Sequence, residues 1–464
     1  MSQPLAARLA AEVAQVRDGR LPAEVTERAR DLLRDYLGVA LGGAVEESSR
    51  TLRRGLAALA LRGEGTVLGT AERLPAPHAA LANGAAAHAL EMDDTHQGGS
   101  IHLGATVFSA ALAAAELVGA GGAAVLRAAV AGYEVAARLA MALDPAAHYR
   151  RGFHPTGTCG AFGAAAAAGL VFGLDVPSLT AALGVAGSQA AGSMEFLAEG
   201  AWTKRLHPGW AASAGLHAAA FARAGFRAPA TILEGRFGFL HAYSDAVDPE
   251  PILRPTSAAS GYALLRTSIK PHACCRYMQG PIDATIALRL THHIDAAEVE
   301  RVEVGMLAAG FPIVCEPAEA KRRPASVVDA QFSLPFGIAV ALVHGAASPE
   351  EFAPPTLAHP AVLRLMDRVV GMRDAALDAT FPHAWPCWVR ITLRDGRRLE
   401  RRVEHPRGDP ENFPGADELR AKFTRLAARA LPPSAIERVA KAVDDFADAP
   451  SVAPLLAATV PSVT

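Results

Sequence analysis

Residues 21–44 read LPAEVTERARDLLRDYLGVALGGA, and this stretch decides the fold class. Pro22 suits a first helical turn, where a missing N–H is tolerated. Val25, Leu32, Tyr36, Leu37 and Leu41 then recur with the spacing of one helix face. Gly42 and Gly43 are expected to end the helix. Further helical blocks follow at 79–89, 104–118, 123–143, 158–173, 176–191 and 209–224. Their Ala-rich faces let helix axes approach closely. The texture changes after about residue 265. VERVEVGML (299–307) and WVRITLRDGRRLERRVEH (388–405) alternate apolar with polar residues as strands do, and Asp395-Gly396 in the second is a hairpin signal. A helix is expected from Ser333 to Leu342. HPRGDPENFPG (405–415) is loop-like, after which ADELRAKFTRLAARALP (416–432) and IERVAKAVDDFADA (436–449) return to helical spacing. The expected fold is mainly α with a smaller α+β part.

Composition narrows the function classes. Of 464 residues, 45 are Lys or Arg and 47 are Asp or Glu, a net charge of -2 that leaves no cationic excess for nucleic acid. Hydrophobic residues make up 51% but aromatics only 6%, so a large core is expected to be built from small side chains on close-packed helices. The five cysteines, Cys159, Cys274, Cys275, Cys315 and Cys387, form an odd set with an adjacent pair, which points to free thiols in a reducing compartment. Glu12 and Asp18 interrupt the N-terminal apolar residues, so no export signal is expected. The longest apolar stretch, 159–174, is short and Ala-rich for a bilayer span of roughly 20 residues. A cytoplasmic protein with no membrane contact is expected.

Chemistry-bearing residues fall in four clusters. HALEMDDTHQGGSIHLGA (88–105) places His88, Glu91, Asp93, Asp94, Thr95, His96 and His102 on a connection between helices. Helix caps account for one or two of them, not for all. RRGFHPTGTCGAFGAAAAAG (150–169) sets His154 at a helix start, where the N-terminal N–H groups favour a carboxylate. Its glycines match neither GxGxxG nor GxxxxGK[ST], so they read as close helix packing rather than as a nucleotide loop. In TKRLHPGW (203–210), Lys204 and His207 precede Pro208, which is expected to open the next helix; Arg205 reads as a solvated side chain. SIKPHACCRYMQGPIDA (268–284) carries Lys270, His272, Cys274, Cys275 and Arg276 at the change of texture, and Cys275 reads equally as a nucleophile or a small buried hydrophobe. CxxC, HExxH, GxSxG and phosphate-loop spacings are absent, so neither metal nor cofactor is expected. A pocket of His, Lys and carboxylates suits proton transfer on a small-molecule carboxylate substrate.

Six motifs, HALEMDDTH with a following histidine, GFHPTGTCGAFGAAAAAG, TKRLHPGWAASAG, KPHACCRYMQGPIDA, DAQFSLPFGIAVAL and EHPRGDPENF, stand in the order seen in the MmgE/PrpD family. The chain resembles that family from RDYLGVALGG near residue 34 to DELRAKF near 417. The family includes 2-methylcitrate dehydratase, cis-aconitate decarboxylase and iminodisuccinate epimerase. The resemblance implies an all-α domain built from 1–267 and 406–464, an inserted α+β lid at 268–405, and a homodimer with the site in the cleft between these domains. Carried over by motif, the acid of the DxDDT segment is Glu91, one methylene longer than the usual Asp. The motif threonine is Thr95 and its histidine His102. His154 and the first of the two lysines, Lys204, complete the expected catalytic set, and the second lysine, Lys270, is a substrate-binding candidate with Asp93, Cys275 and Arg276. Decarboxylase-like members resemble KRFPAH where this chain has KPHACC, so Cys275 replaces a histidine; bacterial relatives resemble CCRYTH, where Gln279 stands here. The expected function is a cofactor-independent lyase acting on a small di- or tricarboxylate by proton abstraction beside a carboxylate. A hydro-lyase of the 2-methylcitrate dehydratase type leads; an epimerase, a cis-aconitate decarboxylase-like enzyme and a non-catalytic binding protein are the alternatives.

Overall fold

A computed structural model describes residues 3–256 and 261–461; the outermost residues of the 1–267 and 406–464 segments, and 257–260, lie outside the described residues. The Ala/Gly-rich helix Pro155–Val171 is buried along nearly its whole length and forms the axis of the helical part. Against it pack Thr203–Arg223, Gly122–Ala142 and Gly104–Val118. Small residues permit the approach. A Cβ added to Gly84 in the helix Ala76–Ala87 would stand 2.7 Å from the Cα of Gly209, so two glycines let these helices touch backbone to backbone. That contact sets the helix carrying Lys204 against the one that leads into Glu91.

The Ala23–Ala44 helix ends one residue past Gly43, where the two glycines place its end. Gly43 is pressed against the carbonyl of Ala86, and Gly42 against Leu90 and Leu426. The glycines serve close packing as well. Ala416–Ala427 and, less extensively, Pro433–Asp444 pack on this same helix, so residues near both ends of the chain share one core.

The α+β part holds a four-stranded sheet in the order Val369–Arg373, Val299–Met306, Cys387–Leu393, Arg398–Val403. The first pair is parallel, with Val304 beside Gly371; the others are antiparallel, with Val304 opposite Val389 and Trp388 opposite Arg402. Gly396 takes φ +87° in the turn that closes the last hairpin, as the Asp-Gly pair implies. Gln279–His292 and Leu334–His344 cover the sheet, and the Ser333 hydroxyl caps the second of these by accepting from the Phe336 N–H at 3.2 Å. A short ladder pairs Thr95–His96 with Thr267–Ser268 and ties the 88–105 connection to the chain that supplies Lys270.

Candidate active site

Glu91 is the pivot. It adopts φ +55°, a left-handed conformation that costs a non-glycine residue roughly 1 kcal/mol or more and tends to mark functional positions. Its carboxylate is buried between two ammonium groups: Lys204 Nζ donates to Oε1, and Lys270 Nζ lies 3.4 Å from Oε2. Lys204 comes from the first turn of the Thr203–Arg223 helix and Lys270 from the segment after the Thr267–Ser268 strand. Burial alone would raise the Glu91 pKa, but the two lysines outweigh it and hold the group ionised far below the usual range. Burial lowers the Lys204 pKa despite Glu91. For Lys270 burial acts the same way, but Glu91 and Asp93 together override it and its pKa rises. Lys204 therefore gives up a proton more readily than Lys270.

Asp93 organises the histidines. Its Oδ2 accepts from His88 Nδ1 at 2.7 Å and lies 3.3 Å from His102 Nδ1, while Oδ1 faces Lys270 at 3.7 Å. His102 Nδ1 also faces the Asp94 carbonyl at 2.8 Å, with the Thr95 hydroxyl at 3.4 Å. Two acceptors on Nδ1 place the proton there and leave Nε2 with its lone pair. Burial depresses the His102 pKa to about 4, so at neutral pH the imidazole is an uncharged base. His154 stands at the start of Pro155–Val171, and its Nδ1 meets Nδ1 of His207 at 3.0 Å. Burial, then His207 and Lys204, hold His154 well below its ordinary pKa. The His88–His102 ring centroids are 4.6 Å apart and both rings lie within about 6 Å of His154.

Residues on the far side fix this constellation. Asp94 Oδ1 accepts from the N–H groups of Leu103 (3.2 Å) and Gly104 (2.8 Å), capping the next helix, and Tyr133 donates to Oδ2 at 2.5 Å. Lys422 Nζ donates to Asp35 Oδ1 at 2.6 Å and to the Met92 carbonyl at 2.8 Å. Met92 lies between Glu91 and Asp93, so a buried ion pair from the Ala23–Ala44 and Ala416–Ala427 helices holds the peptide between the two acids.

Glu91, Asp93, Thr95, His102, His154, Lys204 and Lys270 thus form one buried cluster. Cys275 lies close enough for Lys204, Glu91 and Lys270 to act on its thiol, whose pKa burial raises; the neutral thiol argues against a nucleophile. Arg276 does not join the cluster. Its guanidinium is paired with Asp409 and stands 5.2 Å over the Trp385 ring, because the turn Arg276–Met278 directs it toward the loop 405–415. Two smaller expectations also change. Pro208 lies inside the Thr203–Arg223 helix, where it merely lacks the N–H for the Lys204 carbonyl, so Lys204 and His207 are helical. Arg205 is buried and donates to Ser48 Oγ (3.0 Å) and Gln331 Oε1 (3.3 Å) instead of facing solvent. Sequence reasoning gave no role to His88, nor to Asp35 and Lys422. His88 was visible within its motif, but Asp35 and Lys422 stand 387 residues apart with no shared motif.

A mainly helical chain with an α+β part, joined at a buried site of two acids, two lysines and several neutral histidines, is a protein equipped for proton chemistry on anions. Residues 7–252 match the MmgE/PrpD N-terminal domain and 272–448 the MmgE/PrpD C-terminal domain, and the chain belongs to this family. It is 28% identical over 454 residues to a cis-aconitate decarboxylase of Aspergillus terreus, covering 94% of this chain and 92% of that one. A cis-aconitate decarboxylase-like protein of Aspergillus oryzae is 26% identical over 461 residues (96% and 95%), and the human cis-aconitate decarboxylase 25% over 438 (93% and 89%). Among the described residues no helix is long and apolar enough to cross a membrane.

Proposed function

We propose that the chain is a lyase that acts on a small unsaturated tricarboxylate of the cis-aconitate type, using no group beyond its own side chains. The observation that carries this reading is the convergence of Lys204, Lys270, Glu91 and neutral His102 in one buried place. Similarity to cis-aconitate decarboxylases over nearly the whole length supports the choice of substrate class.

In this reading Lys270, fully charged, holds one substrate carboxylate, and His154 with the helix N-terminus behind it holds a second. The C–C bond to the departing carboxylate breaks, CO2 leaves, and the electron pair enters the conjugated acid as an enolate-like anion. The lysines stabilise that charge in a site shielded from water. Lys204, with its lowered pKa, delivers a proton to carbon and is reprotonated from solvent. Glu91 and Thr95 keep the donors in place. We also infer that the 268–405 segment acts as a lid, because Lys270 reaches the site from its edge.

Dehydration of a hydroxy-tricarboxylate is the second reading. It would use the same pair differently: His102 Nε2 takes a proton from carbon while Lys204 protonates the departing hydroxide. Cys275 favours it, since that thiol stands where decarboxylase-like sequences resemble a histidine. Incubation with cis-aconitate, methylcitrate, citrate and iminodisuccinate in deuterated water separates the outcomes. CO2 release with one solvent deuterium in the product supports decarboxylation. An unsaturated product without CO2 supports dehydration, and deuterium in recovered epimer supports epimerisation. No turnover of any of them by folded protein would contradict the lyase reading.

A further inference from the structure

The proposed lyase chemistry leaves one part of the cluster unused. His88 is fully buried; its Nδ1 is engaged by Asp93, and its Nε2 has no partner among the described residues. A buried polar atom without a partner marks a place for a missing water or ion. One ring nitrogen from each of His88, His102 and His154 lies within 4.8 Å of the others. We propose that these three histidines form a binding site for a single divalent late-transition-metal ion, with zinc the best fit.

The surroundings are those of a metal site. Asp93 faces Nδ1 of both His88 and His102, the carboxylate–histidine arrangement that fixes the tautomer and presents Nε2 to a metal. The His154–His207 contact is made through Nδ1 of each ring, so Nε2 of His154 stands outside it. Zinc–imidazole bonds of about 2.0–2.1 Å place the nitrogens of a tetrahedral site about 3.4 Å apart, so the rings need to close by an ångström or so. Their centroid separations of 4.6, 6.0 and 6.2 Å bracket the roughly 5 Å that three ligating imidazoles take up. Imidazole donors favour zinc, copper or nickel and disfavour magnesium and calcium, which seek oxygen. The two ammonium groups nearby do not bar a cation, because Glu91 and Asp93 balance them within the same cluster. Three ligands leave a fourth position for water or a carboxylate oxygen.

Binding is tested without reference to the reaction, so this proposal and the lyase reading fail separately. Purified full-length chain, stripped with a chelator, is titrated with Co2+, whose tetrahedral complexes absorb strongly in the visible, and then with Zn2+. The expected result is one equivalent bound, a band that Zn2+ abolishes, a Tm raised by Zn2+, and binding at least tenfold weaker in His88→Ala and His154→Ala. His88→Gln, which keeps side-chain volume, is measured alongside, with circular dichroism to establish that the variants are folded. A double variant His292→Ala/His293→Ala, altering the neighbouring pair at a helix end, is expected to bind as the parent does. Absence of the tetrahedral band, or affinity unchanged in the folded His88 and His154 variants, would overturn the proposal. If Zn2+ binds there and the lyase reading also holds, it inhibits competitively with substrate, since His154 serves both.

Discussion

Two buried lysine–carboxylate centres lie back to back across the peptide of Met92, and they are built differently. On one side Asp35 and Lys422 form a closed pair whose ammonium is spent on a carboxylate and a carbonyl. On the other, Glu91 is shared between Lys204 and Lys270, with His88 Nε2 left open in the same cluster. A closed pair holds the backbone; an open one can exchange its partner for a ligand. Both combine ammonium and carboxylate groups at similar burial, so the difference lies in how many partners share the carboxylate and what surrounds it.

The contrast predicts separable phenotypes. Lys204→Met is expected to lower kcat by about 10²–10⁴-fold, the range for a lost acid–base group, while the protein remains folded. Steady-state turnover with circular dichroism checks this, and a loss below tenfold would place Lys204 outside the chemistry. Asp35→Ala should do the reverse. Removing one partner of a buried pair destabilises by about 3–5 kcal/mol, so urea unfolding should show a large loss of stability; Lys422→Arg should recover part of it. If Asp35→Ala leaves stability unchanged, the two centres do not differ as described.

The pH dependence sharpens the open side. His102 acts as a base only when unprotonated, and burial has moved its pKa down to about 4. The rate is therefore full above that value and lost as pH falls through it. For a reaction that uses His102, the acid limb of kcat/KM should lie near pH 4; a limb near 6.5, the ordinary histidine value, would contradict the burial argument. The smallest effect is expected at Arg276. Because Asp409 holds it, Arg276→Gln should change KM by no more than about twofold while lowering Tm, and a large rise in KM would return Arg276 to the binding set.

Much of the helical part was legible because its elements are long and carry a strong period. The expected block 104–118 coincides with Gly104–Val118, and 123–143 differs from Gly122–Ala142 by one residue at each end. Misreadings occurred where a residue's local habit lost to its packing. Pro208, expected to open a helix, is accommodated near the start of one that begins at Thr203. The residues of the buried cluster were legible where motifs lie, from Glu91 to His102, and at His154, Lys204 and Lys270. Arg276 shares a motif with Lys270 but faces another way, since only a few residues of turn separate their directions. Asp35 and Lys422 carried no signal at all, because a long-range ion pair leaves no spacing in sequence.

A crystal structure of the chain with tricarballylate, a saturated tricarboxylate that can neither lose CO2 by this route nor dehydrate, is the most direct test of the central claim. The account predicts carboxylate oxygens within hydrogen-bonding distance of Lys270 and His154 Nε2, with Lys204 Nζ turned from Glu91 toward the ligand. Tricarballylate bound elsewhere, with the Glu91, Lys204 and Lys270 contacts undisturbed, would contradict it.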